Sequence, residues 1–143
     1  MSEYAYNPVQ EVAAGQPVVL NTVIPCNKGF VYHRDQSGIL TLRGIVACPT
    51  NCYARYQVTF NGNIAVPTGG TPGAISLALA IDGEAIPTSN AIVTPTVAEA
   101  YFNVTSTAII TVPRGCCFNA SVINTSADAI DVQNANLTVA RIA

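Results

Sequence analysis

The sequence predicts an all-β chain folded as an antiparallel sandwich or jelly roll, and three observations carry that prediction. Apolar residues alternate with polar ones instead of recurring at three and four. Nine prolines and ten glycines are spread too evenly for helices of useful length. Short β-branched segments recur with turn residues between them: residues 107–112 run into Pro113-Arg114-Gly115, residues 118–123 run into 124–128, and 137–142 finish the chain. A last strand so close to the carboxyl end is expected to be buried between neighbours. On such a scaffold an architectural role is expected.

Taken in order, residues 1–14 show no strong pattern and are expected to form an N-terminal arm. Tyr4, Tyr6 and Val9 are its candidate attachment residues, being too apolar for a merely solvated tail. Residues 17–24 and 38–42 read as strands, with Tyr32, His33, Arg34 and Asp35 as a short ribbon between them. In a strand over 53–61, Tyr56, Val58 and Phe60 point one way and Arg55, Gln57 and Thr59 the other. Residues 62–73, containing Pro67, Gly69, Gly70, Pro72 and Gly73, read as a surface loop. Ile75, Leu77, Leu79 and Ile81 form an apolar row. The small residues Ala74, Ser76, Ala78 and Ala80 behind it imply close packing against a loop or another subunit. Asp82-Gly83 supplies a turn. Residues 15–143 are expected to be one domain, and no repeat or low-complexity tract interrupts them.

Composition excludes several functions. Of the 143 residues, 50% are hydrophobic but only 10% are charged, against a usual share of about 25%. That is little charge for a monomer's surface. With Lys28 as the sole lysine and a net charge of -2, no basic patch is available for phosphates or an anionic membrane. Neither nucleic acid nor membrane is expected as a partner. No apolar run reaches the roughly eighteen residues of a membrane span, and residues 1–6 lack the features of a secretory signal, so synthesis in a cytoplasm is expected.

Catalytic chemistry is hard to find. His33 is the sole histidine and shares a strand face with Asp35, yet no G-x-S-x-G nucleophile elbow completes a triad. An exposed or interface histidine is the better reading. The carboxylates Glu3, Glu11, Asp35, Asp82, Glu84, Glu99, Asp128 and Asp131 are scattered, and Asp82 and Glu84 flank a turn. Asp128 and Asp131 belong to no dense calcium loop, and no phosphate-binding glycine motif occurs. No enzyme activity, cofactor or metal is expected. Asn-x-Ser/Thr sequences at Asn103, Asn119, Asn124 and Asn136 read as coincidences of an Asn- and Thr-rich chain.

The order of these segments resembles the tumour-necrosis-factor and complement-head (TNF-like) jelly roll. The likeness covers roughly residues 13–143 and is carried by 13–20, 37–42, 56–60, 75–87, 108–115, 122–126 and 135–142. It is nearer to the bacterial and phage branch, as in spore-surface collagen-like glycoproteins and phage head-fibre or decoration proteins. The resemblance implies a two-sheet jelly roll that forms a tight homotrimer and does no chemistry. Tyr56, Phe60, Tyr101, Phe102 and Phe118 are then the candidates for core and interface.

Cys26, Cys48, Cys52, Cys116 and Cys117 are an odd number, so at least one stays unpaired or reaches another chain. The connectivity implied by the resemblance gathers Cys48, Cys52, Cys116 and Cys117 at one end, with Cys26 at the other. Reduced thiols, a disulfide closed after export and a zinc site all remain open, zinc being disfavoured by the spacing. Two function classes follow. One is a structural protein on a virion surface, a capsid decoration or head fibre attached to a capsid protein, or its counterpart on a spore surface. The other is a tip that recognises a host-surface glycan or protein.

Overall fold

The computed structural model describes residues 2–23, 31–33, 37–44 and 53–142. Strands follow in the order β1 (Ser2–Tyr6), β2 (Gln10–Val12), β3 (Thr22–Val23), β4 (Val31–His33), β5 (Leu40–Arg43) and β6 (Tyr53–Ala65). Then come β7 (Ile75–Ile81), β8 (Glu84–Ala85), a 3-10 turn (Pro87–Ser89), β9 (Ala91–Val93), β10 (Phe102–Pro113), β11 (Cys117–Asn124) and β12 (Ile130–Arg141). Two antiparallel sheets result. The first runs β10-β6-β12-β1-β3 with β2 also on β12; the second runs β4-β5-β11-β7-β8 with β9 also on β7.

Period-two alternation builds the core between these sheets. In β6, Ala54, Tyr56, Val58, Phe60 and Ile64 turn inward while Arg55, Gln57 and Asn61 face out. Leu77 and Leu79 of β7, Leu40 and Leu42 of β5, Ile110 of β10 and Leu137 of β12 meet them. Of the small-residue row, Ala78 and Ala80 are buried, Ser76 is half-buried and Ala74 is exposed. Asp82 (φ 52°) and Gly83 (φ 83°) make the two-residue β7–β8 hairpin, whose positive φ pair matches the twist of the flanking strands. As expected, β12 is interior to its sheet, between β6 and β1.

The N-terminal segment corrects the arm expectation. Residues 2–12 are not an arm: β1 pairs with β12 from Ser2↔Val139 to Tyr6↔Ala135, and β2 continues the pairing at Ile130↔Val12. Tyr4, opposite Leu137, is only 1% exposed, because the alternation in this segment aims Ser2 and Tyr4 into the core. Tyr6 is half-buried, and Val9, 48% exposed, sits where the chain bows out between the two strands. The bow faces an irregularity in β12 between Gln133 and Asn136, where Asn134 (φ 56°) donates its backbone N–H to the Asn7 carbonyl at 3.1 Å.

Four other boundaries move. The expected loop 62–73 starts later, because β6 continues through Ala65. The expected strand over 17–24 is a buried extended segment with changing partners. Val18 N–H donates to the Val122 carbonyl at 2.7 Å, and the Gln10 amide brackets the backbone of Val19 with two 2.9 Å hydrogen bonds. Only Thr22–Val23 joins the sheet, and Ile24 lies outside the described residues. Strands β10 and β12 begin well before the expected 107 and 137.

Candidate functional site

His33 belongs to packing. Its Nε2 lies 2.8 Å from the Ser37 carbonyl oxygen, and its ring centroid is 4.8 Å from that of Tyr4. Asp35 lies outside the described residues. Among the described residues, no group of three or more His, Cys, Asp or Glu side chains is placed to hold a metal ion.

The candidate aromatics divide between core and surface. Tyr56 and Phe60 are fully buried; the Tyr56 hydroxyl donates to the Arg43 carbonyl, and burial pushes its pKa up. Phe118 packs partly against the core. Tyr101 (39% exposed) and Phe102 (44%) stand at the surface where β10 begins.

The outward face of the first sheet is a ladder of amides and hydroxyls. Asn103 Nδ2 donates to Asn61 Oδ1 at 2.9 Å and to Asn63 Oδ1 at 3.2 Å, and Thr105 Oγ1 donates to Asn61 Oδ1 at 3.2 Å. Thr107 reaches Thr59 at 3.3 Å, Asn63 reaches Asn134 at 3.2 Å, and Asn136 donates to Glu3 Oε1 at 2.8 Å. Opposed side chains on one sheet face satisfy one another in this way. Toward the Tyr53 end, Tyr53, Ile109 and Ile142 are exposed beside the outward-facing Arg55 and Gln57.

Strand register gathers the described arginines at one end of the sandwich and Glu11, Glu99 and Asp131 at the other, with Asp82 and Glu84 nearer the arginines. Every arginine among the described residues is at one end: Arg43 opposite Cys117, Arg55 opposite Thr111, Arg141 opposite Tyr56, and Arg114 in the turn after β10. At the other end Glu11 pairs with Asp131, and Glu99 donates its backbone N–H to the Val66 carbonyl at 2.9 Å. Burial raises the Asp131 pKa above its ordinary value, and the like charges of Glu11 and Glu99 add to the shift. Burial also raises the Tyr101 pKa, assisted by Asp131 and Glu99.

Of the expected thiol cluster Cys48, Cys52, Cys116 and Cys117, only the last two lie within the described residues. Cys116 and Cys117 are exposed free thiols at the arginine end; Cys26, Cys48 and Cys52 lie outside the described residues. The described residues that flank 45–52 both adjoin that turn. Gly44 N–H donates to the Cys116 carbonyl at 2.9 Å, and Tyr53 pairs with Pro113. Only glycine fits at 44, since a Cβ there would lie 2.4 Å from the Pro113 carbonyl oxygen.

Sequence reasoning missed a cleft of about 570 Å³ at the acidic end. Loop residues 66–74 form one wall and residues 126–129 the other, with Glu11 at the margin. The loop was legible as a surface feature. Its partners come from distant parts of the chain, and no local pattern announces them.

No family model matches the sequence, and no curated protein matches it. Solved structures do share its architecture. An Eiger TNF from S. frugiperda is similar over 99% of this chain and 91% of its own, with a TM-score of 0.72 at 12% identity. The globular domain of a zebrafish complement 1qA protein is similar over 96% of this chain and 94% of its own, with a TM-score of 0.60 at 12% identity. The PRD1 vertex protein P5 is similar over 99% of this chain and 96% of its own, with a TM-score of 0.53 at 15% identity. These likenesses establish the fold as a TNF-like jelly roll.

Proposed function

We propose that this chain is a non-enzymatic structural subunit on a particle surface, a homotrimeric capsid decoration or head-fibre protein of a phage. The observation that carries the proposal is the outward face of the first sheet, whose centre is a hydrogen-bonded ladder of Asn and Thr flanked by exposed Tyr53, Ile109 and Ile142. Such a face suits self-association. Its central polar groups already have partners, and a closed ring of copies would cover the exposed side chains of Tyr53, Ile109 and Ile142 that a monomer leaves wet. The charge deficit of the whole chain points the same way. The capsid setting draws support from the likeness to a phage vertex protein, and the virion surface is the location it suggests. A spore surface would make similar demands.

The N-terminal segment cannot supply the attachment arm, since Tyr4 belongs to the core. Attachment is assigned instead to a surface of the folded module. A second reading, a tip that binds a host-surface glycan or protein, is favoured by the cleft between loop 66–74 and residues 126–129.

Light scattering at micromolar concentration tests the first reading and is expected to give about three times the chain mass. Placing arginine at both Thr59 and Thr107 is expected to dissociate the assembly while the circular dichroism stays that of a folded β protein. A wild-type protein that remains monomeric would overturn the proposal.

A further inference from the structure

Both walls of the cleft are fixed before any ligand arrives. On one side, Gly70 N–H closes a turn onto the Pro67 carbonyl at 2.9 Å, with Gly69 at φ 80°. On the other, Asn124, 1% exposed, donates from Nδ2 to the Val12 carbonyl at 3.0 Å and to the Asp128 carbonyl at 2.9 Å. Its Oδ1 accepts the Ser126 N–H at 2.8 Å, and Ser126 Oγ donates to the Ser76 carbonyl at 3.0 Å. A preformed concavity of this size accommodates a small organic group or one to two long side chains.

The chemistry of the lining selects the occupant. Among the described residues that line it, the only charged side chains are Glu11 and Asp128, and none is Lys, Arg or His. Asp131, opposite Glu11 across the strand pair, and Glu99, bonded to the loop through Val66, extend the negative field behind it. The described arginines are at the far end of the sandwich. An anionic ligand would therefore be repelled. A neutral sugar would find hydrogen-bond acceptors, but no described lining residue is aromatic and none offers a flat ring for a sugar face. A cationic side chain fits both features, since its charge meets the carboxylates and its aliphatic stem can lie along the prolines Pro67 and Pro72.

We infer that this cleft is a docking site for a basic peptide segment of a protein partner, with a Lys ammonium or Arg guanidinium against the Glu11 and Asp128 carboxylates. The site goes beyond the self-association reading and does not rest on it, because its walls are the connecting loops rather than the amide ladder.

Fluorescence anisotropy with labelled hexalysine, hexaarginine, hexaglutamate and a Gly-Ser hexapeptide tests the site. The first two are expected to bind, more weakly as salt rises, and the last two are not. The Glu11→Gln/Asp128→Asn double variant is expected to weaken binding at least about tenfold, whereas Asp82→Asn/Glu84→Gln, which removes the same charge at the β7–β8 turn, leaves it unchanged. Thr71→Trp, which fills the cleft without altering charge, is expected to abolish binding. Equal losses in the two double variants would overturn the site, as would wild-type binding by Thr71→Trp or no binding of either basic peptide. Displacement of the bound peptide by cellobiose, maltose or lactose would assign the cleft to saccharides and overturn it too. The light-scattering mass of each variant, expected to equal that of the wild type, separates these outcomes from a failure of self-association.

Discussion

Replacing Tyr4 by alanine tests whether the amino-terminal segment is part of the fold. Tyr4 is 1% exposed, pairs with Leu137 of a strand at the other end of the chain, and contacts the His33 ring at a centroid distance of 4.8 Å. Truncating a buried aromatic removes its transfer free energy and leaves a cavity, together costing about 3–5 kcal/mol. A domain of this size has a total stability of roughly 5–15 kcal/mol, so the variant should lose about a fifth or more of it and melt on the order of 10 °C lower. Val9→Ala, in the exposed bow a few residues on, should change stability by no more than about 0.5 kcal/mol. Urea unfolding followed by far-ultraviolet circular dichroism gives both values, at one protein concentration because self-association shifts apparent stability. If Tyr4→Ala were as mild as Val9→Ala, β1 would not be docked and the arm expectation would be restored. By the same reasoning, deletion of residues 1–12 should unfold the protein, since it removes two strands of the first sheet.

Asn124→Ala should cost about 2–4 kcal/mol in the same unfolding assay, because it strips partners from the buried Val12 carbonyl, the Asp128 carbonyl and the Ser126 N–H. A loss below about 0.5 kcal/mol would show that solvent replaces them. Asp131 has a folded-state pKa raised above its unfolded one, so the native state holds the proton more tightly. Stability should therefore fall as pH rises from the unfolded value through the raised folded one, and Asp131→Asn should remove that decline. A substitution that leaves the slope unchanged, or makes stability fall more steeply with pH, would contradict the like-charge arrangement with Glu11 and Glu99. Native thiol titration should find Cys116 and Cys117 reactive. Counting under denaturing conditions before and after reduction then distinguishes five free thiols from a bridge. Protection of both Cys116 and Cys117 in the native protein would show their end to be covered.

Elements whose signals are local were legible from sequence. The alternation over 53–61 gave the correct inward residues Tyr56, Val58 and Phe60, and Asp82-Gly83 gave the hairpin. Strand β1 was not legible, because what makes Tyr4 a core residue is Leu137. The early halves of β10 and β12 are rich in Asn, Thr and Gln, which read as turn or solvated residues until the opposing strand supplies their partners. Asn124 shows the limit for the candidate site. Its Asn-Thr-Ser sequence reads locally as a glycosylation sequon, yet its buried amide ties β2 to the loop after β11 and so shapes one wall of the cleft.

The position of β12 sets the route by which this chain can reach its native state. Its partners are β6 in the middle of the sequence and β1 at the beginning, so the Ser2↔Val139 pairing closes a loop of nearly the whole chain. The entropy of that closure must be met before the contacts return anything, which places folding in the slow range, milliseconds to seconds, of non-local β topologies. Until β12 arrives, the inward-facing edges of β6 and β1 stand open as templates for pairing with other chains. Folding yield should therefore depend on concentration more steeply than native-state stability does, and refolding at high dilution should recover the most protein.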